Sequence, residues 1–167
     1  MGTKYILNEN KYKNAILYLA RNLEKHSIFG RKKLYKLLYY LDFDSFERLG
    51  KPITGDIYHR INMGPAPRYA DAIAEKLELD KALTITEERT GANLKDTVVY
   101  TALQEPDLSV FEKDELLILR RIVSKYGNKT GKQLEDLTHN EAPYLAVNFG
   151  EEIPLELAHY RGTDFTH

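Results

Sequence analysis

Apolar side chains recur at intervals of three and four between Leu34 and Leu49. One stripe is mostly leucine, and a second stripe of aromatic residues lies beside it. The two stripes are Leu34, Leu37, Leu38, Leu41, Ser45 and Leu49, and Tyr35, Tyr39, Phe43 and Phe46. This spacing is typical of a helix, and a helix that is apolar over most of its circumference has no face to leave in water. We therefore expect this segment to be the central helix of the core.

Capping residues predict where the other helices begin. Asn8 or Asn10 suits the start of a first helix that runs to about Lys25. Three pairs have the capping-box spacing of Ser or Thr followed three residues later by Glu or Gln. They are Ser109 with Glu112, Thr130 with Gln133, and Thr138 with Glu141. These pairs predict helices over 111–126, 132–137 and 139–149, in addition to a helix over 67–79.

Three segments have the alternation of short strands. Residues 56–61, 83–89 and 97–103 alternate apolar and polar side chains, and Thr90–Asn93 reads as the turn between the last two. We expect them to form one three-stranded antiparallel sheet packed on the helices. Residues 153–160 suit either a short helical turn or an extended strap. The prediction is a single α+β domain over residues 1–167, predominantly α-helical and without internal repeats.

Asp42 interrupts the apolar face of the central helix. It lies one turn after Leu38 and one turn before Phe46. A buried carboxylate is costly unless hydrogen bonds or a cation satisfy it. Asp42 therefore has either a partner inside the fold or a place in a binding groove.

The segment Met63-Gly64-Pro65-Ala66-Pro67 predicts a rigid corner. Glycine can adopt a positive φ, and each proline restricts its own φ. Pro67 also suits the first turn of a helix. The corner either leads into that helix or presents Met63 and Tyr69 to another protein.

Composition limits the classes of function. The 167 residues contain no cysteine, so disulfides and thiolate zinc sites are excluded, and no apolar run approaches the roughly 20 residues of a membrane span. We expect a cytoplasmic protein with no membrane partner. The net charge of −1 is uneven: residues 1–36 carry nine Lys or Arg against two acids, and residues 71–115 carry twelve acids against five basic residues. Because Arg31, Lys32, Lys33 and Lys36 begin the central helix, where cations oppose the helix dipole, we expect acidic groups near them.

Motifs for catalysis or cofactors are missing from the sequence. The histidines show no HExxH pair, and His139 with Glu141 is too small a set for zinc. No phosphate-binding glycine loop or nucleophile elbow occurs. The prediction is a protein without a metal or cofactor that is not an enzyme. DNA binding by the helices after Thr130 is an alternative, but residues 134–160 carry no Lys or Arg for the phosphate backbone.

A protein-binding surface is the remaining interpretation. The chain has twelve tyrosines and no tryptophan, and tyrosine is enriched at interfaces; many of the tyrosines also suit the core. We expect the partner to contact a groove at the corner. Its predicted residues are Tyr39, Asp42, Tyr58, Met63, Gly64, Pro65, Pro67 and Tyr69.

Two separated segments resemble the Panacea domain, the SocA-like antitoxin family often found in phage and prophage genes. The first runs from Lys36 to Pro67, and the second from Gln133 to Tyr144. The matching motif residues are Lys36, Leu37, Leu38, Tyr39, Asp42, Gly50, Pro52, Thr54, Thr138, His139, Glu141 and Pro143. The resemblance extends over about residues 11–160.

The resemblance implies a mostly helical domain that neutralises a cognate toxin by binding it directly in a two-gene system. It implies no catalytic residue. The partner would be a toxin protein encoded by the adjacent gene. Four positions depart from the usual family pattern, all with apolar or aromatic residues, and these departures bear on the identity of the partner more than on the fold: Leu41, Met63, Ala66 and Tyr144.

Overall fold

Helix α2, Arg31–Leu49, lies at the centre of the fold, as its apolar circumference predicted. Thirteen of its nineteen residues are buried, and it packs against helices, two strands and the C-terminal segment. Gly50 ends the helix with a φ of +81°, and its N–H donates to the Phe46 carbonyl over 2.9 Å. A glycine at this position adopts the left-handed conformation without steric cost.

The computed structural model describes residues 5–23, 30–90 and 95–166. The elements around α2 are α1 (Glu9–Leu23), β1 (Tyr58–Ile61), β2 (Gly64–Pro67), α3 (Ala70–Leu79), β3 (Leu83–Thr90), β4 (Lys95–Ala102), α4 (Lys113–Tyr126), α5 (Gly131–His139) and α6 (Ala142–Leu145). Two 3₁₀ helices span Leu108–Val110 and Leu155–Tyr160. The α+β, mainly helical fold class is confirmed. The end predicted near Lys25 for the first helix and most of the predicted Thr90–Asn93 turn lie outside the described residues.

The three-stranded sheet is wrong in detail, because the strands form two separate hairpins. β1 pairs antiparallel with β2, and β3 with β4. The corner at Gly64 is itself strand β2, so the helix predicted from Pro67 begins instead at Ala70.

The free edge of β1 pairs with the C-terminal segment. Ile153 N–H donates to the Tyr58 carbonyl over 2.7 Å, and Arg60 N–H donates to the Glu151 carbonyl over 3.0 Å. An unpaired edge would leave backbone donors and acceptors without partners. Residues 150–153 therefore pair with the edge of the hairpin as a third segment, which the sequence did not indicate. Beyond them lies a 3₁₀ helix, the helical alternative of the two proposed for residues 153–160.

Two of the predicted helix starts are confirmed. Asn8 Oδ1 accepts from the Lys11 N–H over 3.0 Å at the start of α1. Thr130 and Gln133 form the reciprocal capping box of α5, with hydrogen bonds of 3.1 and 2.9 Å.

The other two capping boxes are wrong. α4 begins at Lys113 behind a box formed by Glu112 and Glu115, while Ser109 donates to the Asp107 carboxylate. Thr138 lies inside α5 and is not the N-cap of a helix; the next helix, α6, has Glu141 as its N-cap. In both cases another residue, Glu112 or Glu141, is the N-cap of the helix that follows, so the capping-box spacing of the Ser or Thr arises by chance.

The two helices after Thr130 are short. α5 has nine residues and α6 has four, in place of the helix predicted over 139–149. Tyr144 on α6 is buried and donates its hydroxyl to the Ile61 carbonyl over 2.7 Å. This part of the chain supports the β1–β2 hairpin.

Candidate functional site

Asp42 has its partners inside the fold. Its Oδ1 accepts from the Ile53 and Thr54 N–H groups, both over 2.8 Å, and its Oδ2 accepts from the hydroxyls of Thr54 and Tyr58, the latter over 2.6 Å. Burial raises the pKa of Asp42 to about 6, and these hydrogen bonds oppose the shift. The first of the two alternatives for Asp42 is therefore the observed one: the carboxylate holds the loop after α2 and strand β1 against the helix.

Asp56 is a second buried anchor, which the sequence did not reveal. It accepts from the Tyr12 hydroxyl over 2.5 Å and from the N–H groups of Ile57, Arg68 and Tyr69. Burial raises the pKa of Asp56. A single aspartate after a glycine carries no pattern that distinguishes this role from an exposed loop residue. Asp56 fixes the junction between β2 and α3 to α1.

Lys36 joins the two motif segments. Its ammonium is buried and donates to the Pro65 carbonyl over 2.9 Å. Gly64 has a φ of +104° and lies so close that a Cβ there would come within 2.5 Å of Lys36 Cε and 2.9 Å of Thr138 Oγ1. Thr138 donates to the Glu135 carbonyl over 2.8 Å. Residues about 100 positions apart in the chain thus meet where α2, β2 and α5 converge.

Glu141 connects α6 to the centre of α2. It accepts from the Tyr39 hydroxyl over 2.8 Å and from the Tyr40 hydroxyl over 2.7 Å, and lies 3.6 Å from the Arg161 guanidinium. Burial raises the pKa of Glu141, while Arg161 and the two hydroxyls lower it. The carboxylate predicted to close a capping box therefore receives two tyrosine hydroxyls.

Arg161 lies in a buried cluster of acids that sequence reasoning missed. Its guanidinium is 2.6 Å from Asp44 and 2.9 Å from Glu47, and its side chain is 2% exposed. Burial opposes the charge, but Tyr39, Asp44 and Glu141 more than compensate and raise the pKa of Arg161. Nothing in the local sequence around position 161 indicates a core residue.

Most of the remaining motif residues are packed inside the fold or lie at the end of a helix. The rings of His139 and Tyr144 stack with centroids 4.6 Å apart, and Pro143 lies in the first turn of α6. Leu37, Leu38 and Thr54 are buried, and Pro52 is half-buried in the loop after α2.

The residues predicted to bind a partner divide by exposure. Tyr39, Asp42, Tyr58, Gly64, Pro65 and Pro67 are buried, so they support the corner from beneath. Met63 and Tyr69 are 53% and 38% exposed. Met63 lies in the two-residue turn between β1 and β2, close to the exposed Ile61. A direct contact of Met63 or Tyr69 with a partner remains a prediction.

A surface groove of about 260 Å³ lies beside this hairpin, which we call the α2–hairpin groove. Met63 is the member that it shares with the predicted site. Its lining combines cationic with apolar and aromatic side chains: Arg31, Lys32, Tyr35, Lys36, Ile61 and Met63.

The acidic groups expected near the basic start of α2 are present. Arg31 lies 3.5 Å from Asp71, and Lys32 lies 3.1 Å from Glu135. Among the described residues, no group of three or more His, Asp or Glu side chains is placed to hold a metal ion. In the same part of the chain, no helix is long and apolar enough to cross a membrane.

Comparison with known proteins identifies the family. A family profile described as "Antitoxin SocA-like, Panacea domain" matches residues 34–144, more than half of the chain. No curated protein and no solved structure matches the chain. The matched range contains Lys36, Asp42, Gly64, Thr138 and Glu141, the side chains and the glycine that hold the two motif segments together. The chain therefore belongs to the SocA-like antitoxin family, whose domain is called Panacea.

Proposed function

We propose that this protein is an antitoxin that neutralises a toxin protein by binding it directly. The toxin is encoded by the adjacent gene, in a two-gene system of phage or prophage origin, and the two proteins meet in the cytoplasm. Membership of the antitoxin family supports a toxin partner in general. The direct contact and the gene neighbour are the specific content of the proposal.

The observation that carries the direct contact is the exposed tip of the β1–β2 hairpin. Ile61 and Met63 are apolar, yet they are 39% and 53% exposed. Hydrogen bonds from the core hold both strands: the Tyr144 hydroxyl donates to the Ile61 carbonyl, and Lys36 donates to the Pro65 carbonyl. A surface that is already ordered loses less conformational entropy on binding. The hairpin tip and Tyr69 thus form the toxin-binding surface.

Binding without catalysis is part of the proposal. Burial raises the pKa values of Asp42, Asp44 and Asp56, a shift that elsewhere marks catalytic groups. Here each carboxylate accepts hydrogen bonds or an ion pair from the fold itself. These acids bond to groups of the fold itself, and the proposal assigns partner binding to the exposed apolar side chains at the hairpin tip.

Co-expression with the product of the adjacent gene tests the proposal. The gene alone should arrest growth, and expression of this chain beside it should restore growth. The two proteins should co-elute as a complex in size-exclusion chromatography, with the toxin present at an undiminished level. A harmless gene product, or a toxin that still kills beside this chain, would refute the antitoxin function. Rescue accompanied by loss of the toxin and no complex would refute direct binding.

A further inference from the structure

Lys36 is a buried ammonium with unused donors. Its residue is 1% exposed, and Nζ donates to a single described acceptor, the Pro65 carbonyl. A lysine ammonium has three N–H donors and no acceptor. Within the described chain, no carboxylate lies in ion-pair distance of Nζ. A buried charge of this kind is costly unless it is paired.

The α2–hairpin groove borders the Lys36 side chain. Lys36 lines the groove together with Tyr35, Ile61 and Met63. The other two cations of the groove already have acidic partners, Asp71 for Arg31 and Glu135 for Lys32. Lys36 is thus the cation of the groove that has no carboxylate within ion-pair distance among the described residues, although Glu135 is near enough to raise its pKa.

The size of the groove favours a side chain over a cofactor. Its volume of about 260 Å³ lies just below the range of roughly 300–1,000 Å³ that is usual for small-molecule pockets. Its apolar walls suit an aliphatic stem, and Lys36 suits an acidic end. The charge and shape together describe a carboxylate on an apolar stem.

Lys33 is an internal comparison for Lys36. It lies one turn earlier on α2, is 2% exposed, and donates to the Gly127 carbonyl over 2.6 Å. Unlike Lys36, it does not line the α2–hairpin groove. A purely structural lysine and a binding lysine can therefore be compared within one helix.

We propose that Lys36 receives a carboxylate from an apolar segment of the toxin, which inserts into the α2–hairpin groove. This inference rests on the proposed function and names the chemistry by which the partner is recognised. Burial lowers the pKa of Lys36 to about 7 in the free protein, and a carboxylate at hydrogen-bond distance stabilises the charged form. An amide or alcohol of the same shape gives no such stabilisation, so the site selects for the acid.

Hexanoate and hexanamide are matched probes of this site. The chain has two methionines, Met1 and Met63, so the methyl signal of Met63 is readily assigned by NMR. Hexanoate should shift this methyl signal and the ε-methylene signal of Lys36 in a saturable way, and hexanamide should not. Lys36→Met should abolish the shift of Met63, and Lys33→Met should preserve it. Equal shifts with both probes, no saturable shift, or binding that survives Lys36→Met would overturn the inference.

The same pair of variants tests the toxin contact. Lys36→Met should weaken toxin binding at least tenfold in calorimetry, and Lys33→Met less than twofold. Thermal unfolding verifies that each variant is folded; if Lys36→Met is not, the Lys36 signal of the wild-type chain in the toxin complex decides. Failure of the wild-type chain to bind the toxin would refute the proposed function. Tight binding by a folded Lys36→Met variant would overturn the Lys36 contact alone.

Discussion

Arg161 and Asp44 are 117 positions apart in the chain and form an ion pair of 2.6 Å with both side chains buried. The pair attaches the C-terminal segment to the middle of α2. Glu47 and Glu141 lie near the same guanidinium, at 2.9 and 3.6 Å. The central helix is therefore paired with an arginine outside the matched family range.

Replacement of Arg161 by methionine should destabilise the domain by about 3–5 kcal/mol, because it leaves buried carboxylates without a cation. Urea unfolding at pH 7 measures the loss. The difference in unfolding free energy between wild type and variant should become smaller toward pH 5, since the variant's carboxylates gain protons more readily than those of the wild type. Arg21→Met is the control: this exposed arginine pairs with Glu105 at 2.6 Å, and its loss should cost less than about 1 kcal/mol. Equal effects of the two variants would contradict a structural role of the cluster.

Asp42→Ala should cost at least about 3 kcal/mol, because several buried donors lose their acceptor. Asp42→Asn keeps one oxygen and should cost less. The raised pKa of Asp42, about 6 against 3.8 in the unfolded chain, means that the folded state holds an extra proton between these values. The contribution of Asp42 to the free energy of unfolding should therefore fall as pH rises from about 4 to about 6. This pH dependence should be missing in Asp42→Asn. Urea unfolding across this pH range compares the two proteins, and parallel profiles would contradict the assignment.

Lys36 should produce the opposite pH dependence. Burial lowers its pKa from 10.5 to about 7, with Glu135 raising it and Lys32 lowering it further. The unfolded state then binds more protons above pH 7, so stability rises with pH by up to about 1.4 kcal/mol per unit. The difference between wild type and Lys36→Met should show this rise from pH 7 to 9. An NMR titration of the Lys36 ε-methylene that gives a pKa near 10.5 would contradict it.

Gly64→Ala and Gly150→Ala separate backbone strain from crowding. Both glycines have a positive φ, +104° and +84°, but a Cβ at Gly150 meets nothing within 4 Å. Both variants should lose about 1–3 kcal/mol from strain, and Gly64→Ala should lose more because its methyl group collides with Lys36 and Thr138. Thermal unfolding ranks the two. Equal losses would show that the junction accommodates the methyl group.

Met63→Asp should weaken toxin binding at least tenfold, since it places a negative charge where an acidic segment of the partner is proposed to insert. Leu117→Asp is a matched control, because Leu117 is also 53% exposed. It lies beside Arg48, near the other end of α2, roughly 18 Å along the helix from Lys36 at 1.5 Å per residue. Calorimetry with the purified toxin and growth rescue measure both variants. Loss of binding by Leu117→Asp alone would show that the toxin binds near Arg48 and not at the hairpin tip.

The hydrophobic pattern by itself determined the central helix, the first helix, the strand segments and the helical fold class. These features depend on local spacing, because a stripe at intervals of three and four has to be buried wherever the helix lies. Asn8 and the Thr130–Gln133 box are likewise local, since a cap bonds to backbone within three residues.

Only the tertiary structure decided how these pieces are joined. The partners of β1, the burial of Tyr39, Asp42 and Tyr58, and the meeting of Lys36 with Thr138 were not predicted, because they depend on which segments the fold brings together. Glu141 illustrates the difference: its spacing from Thr138 suits a cap, but two tyrosine hydroxyls from α2 occupy it instead. A carboxylate bonds to the donors nearest in space, and sequence spacing identifies those donors only when they belong to the same turn.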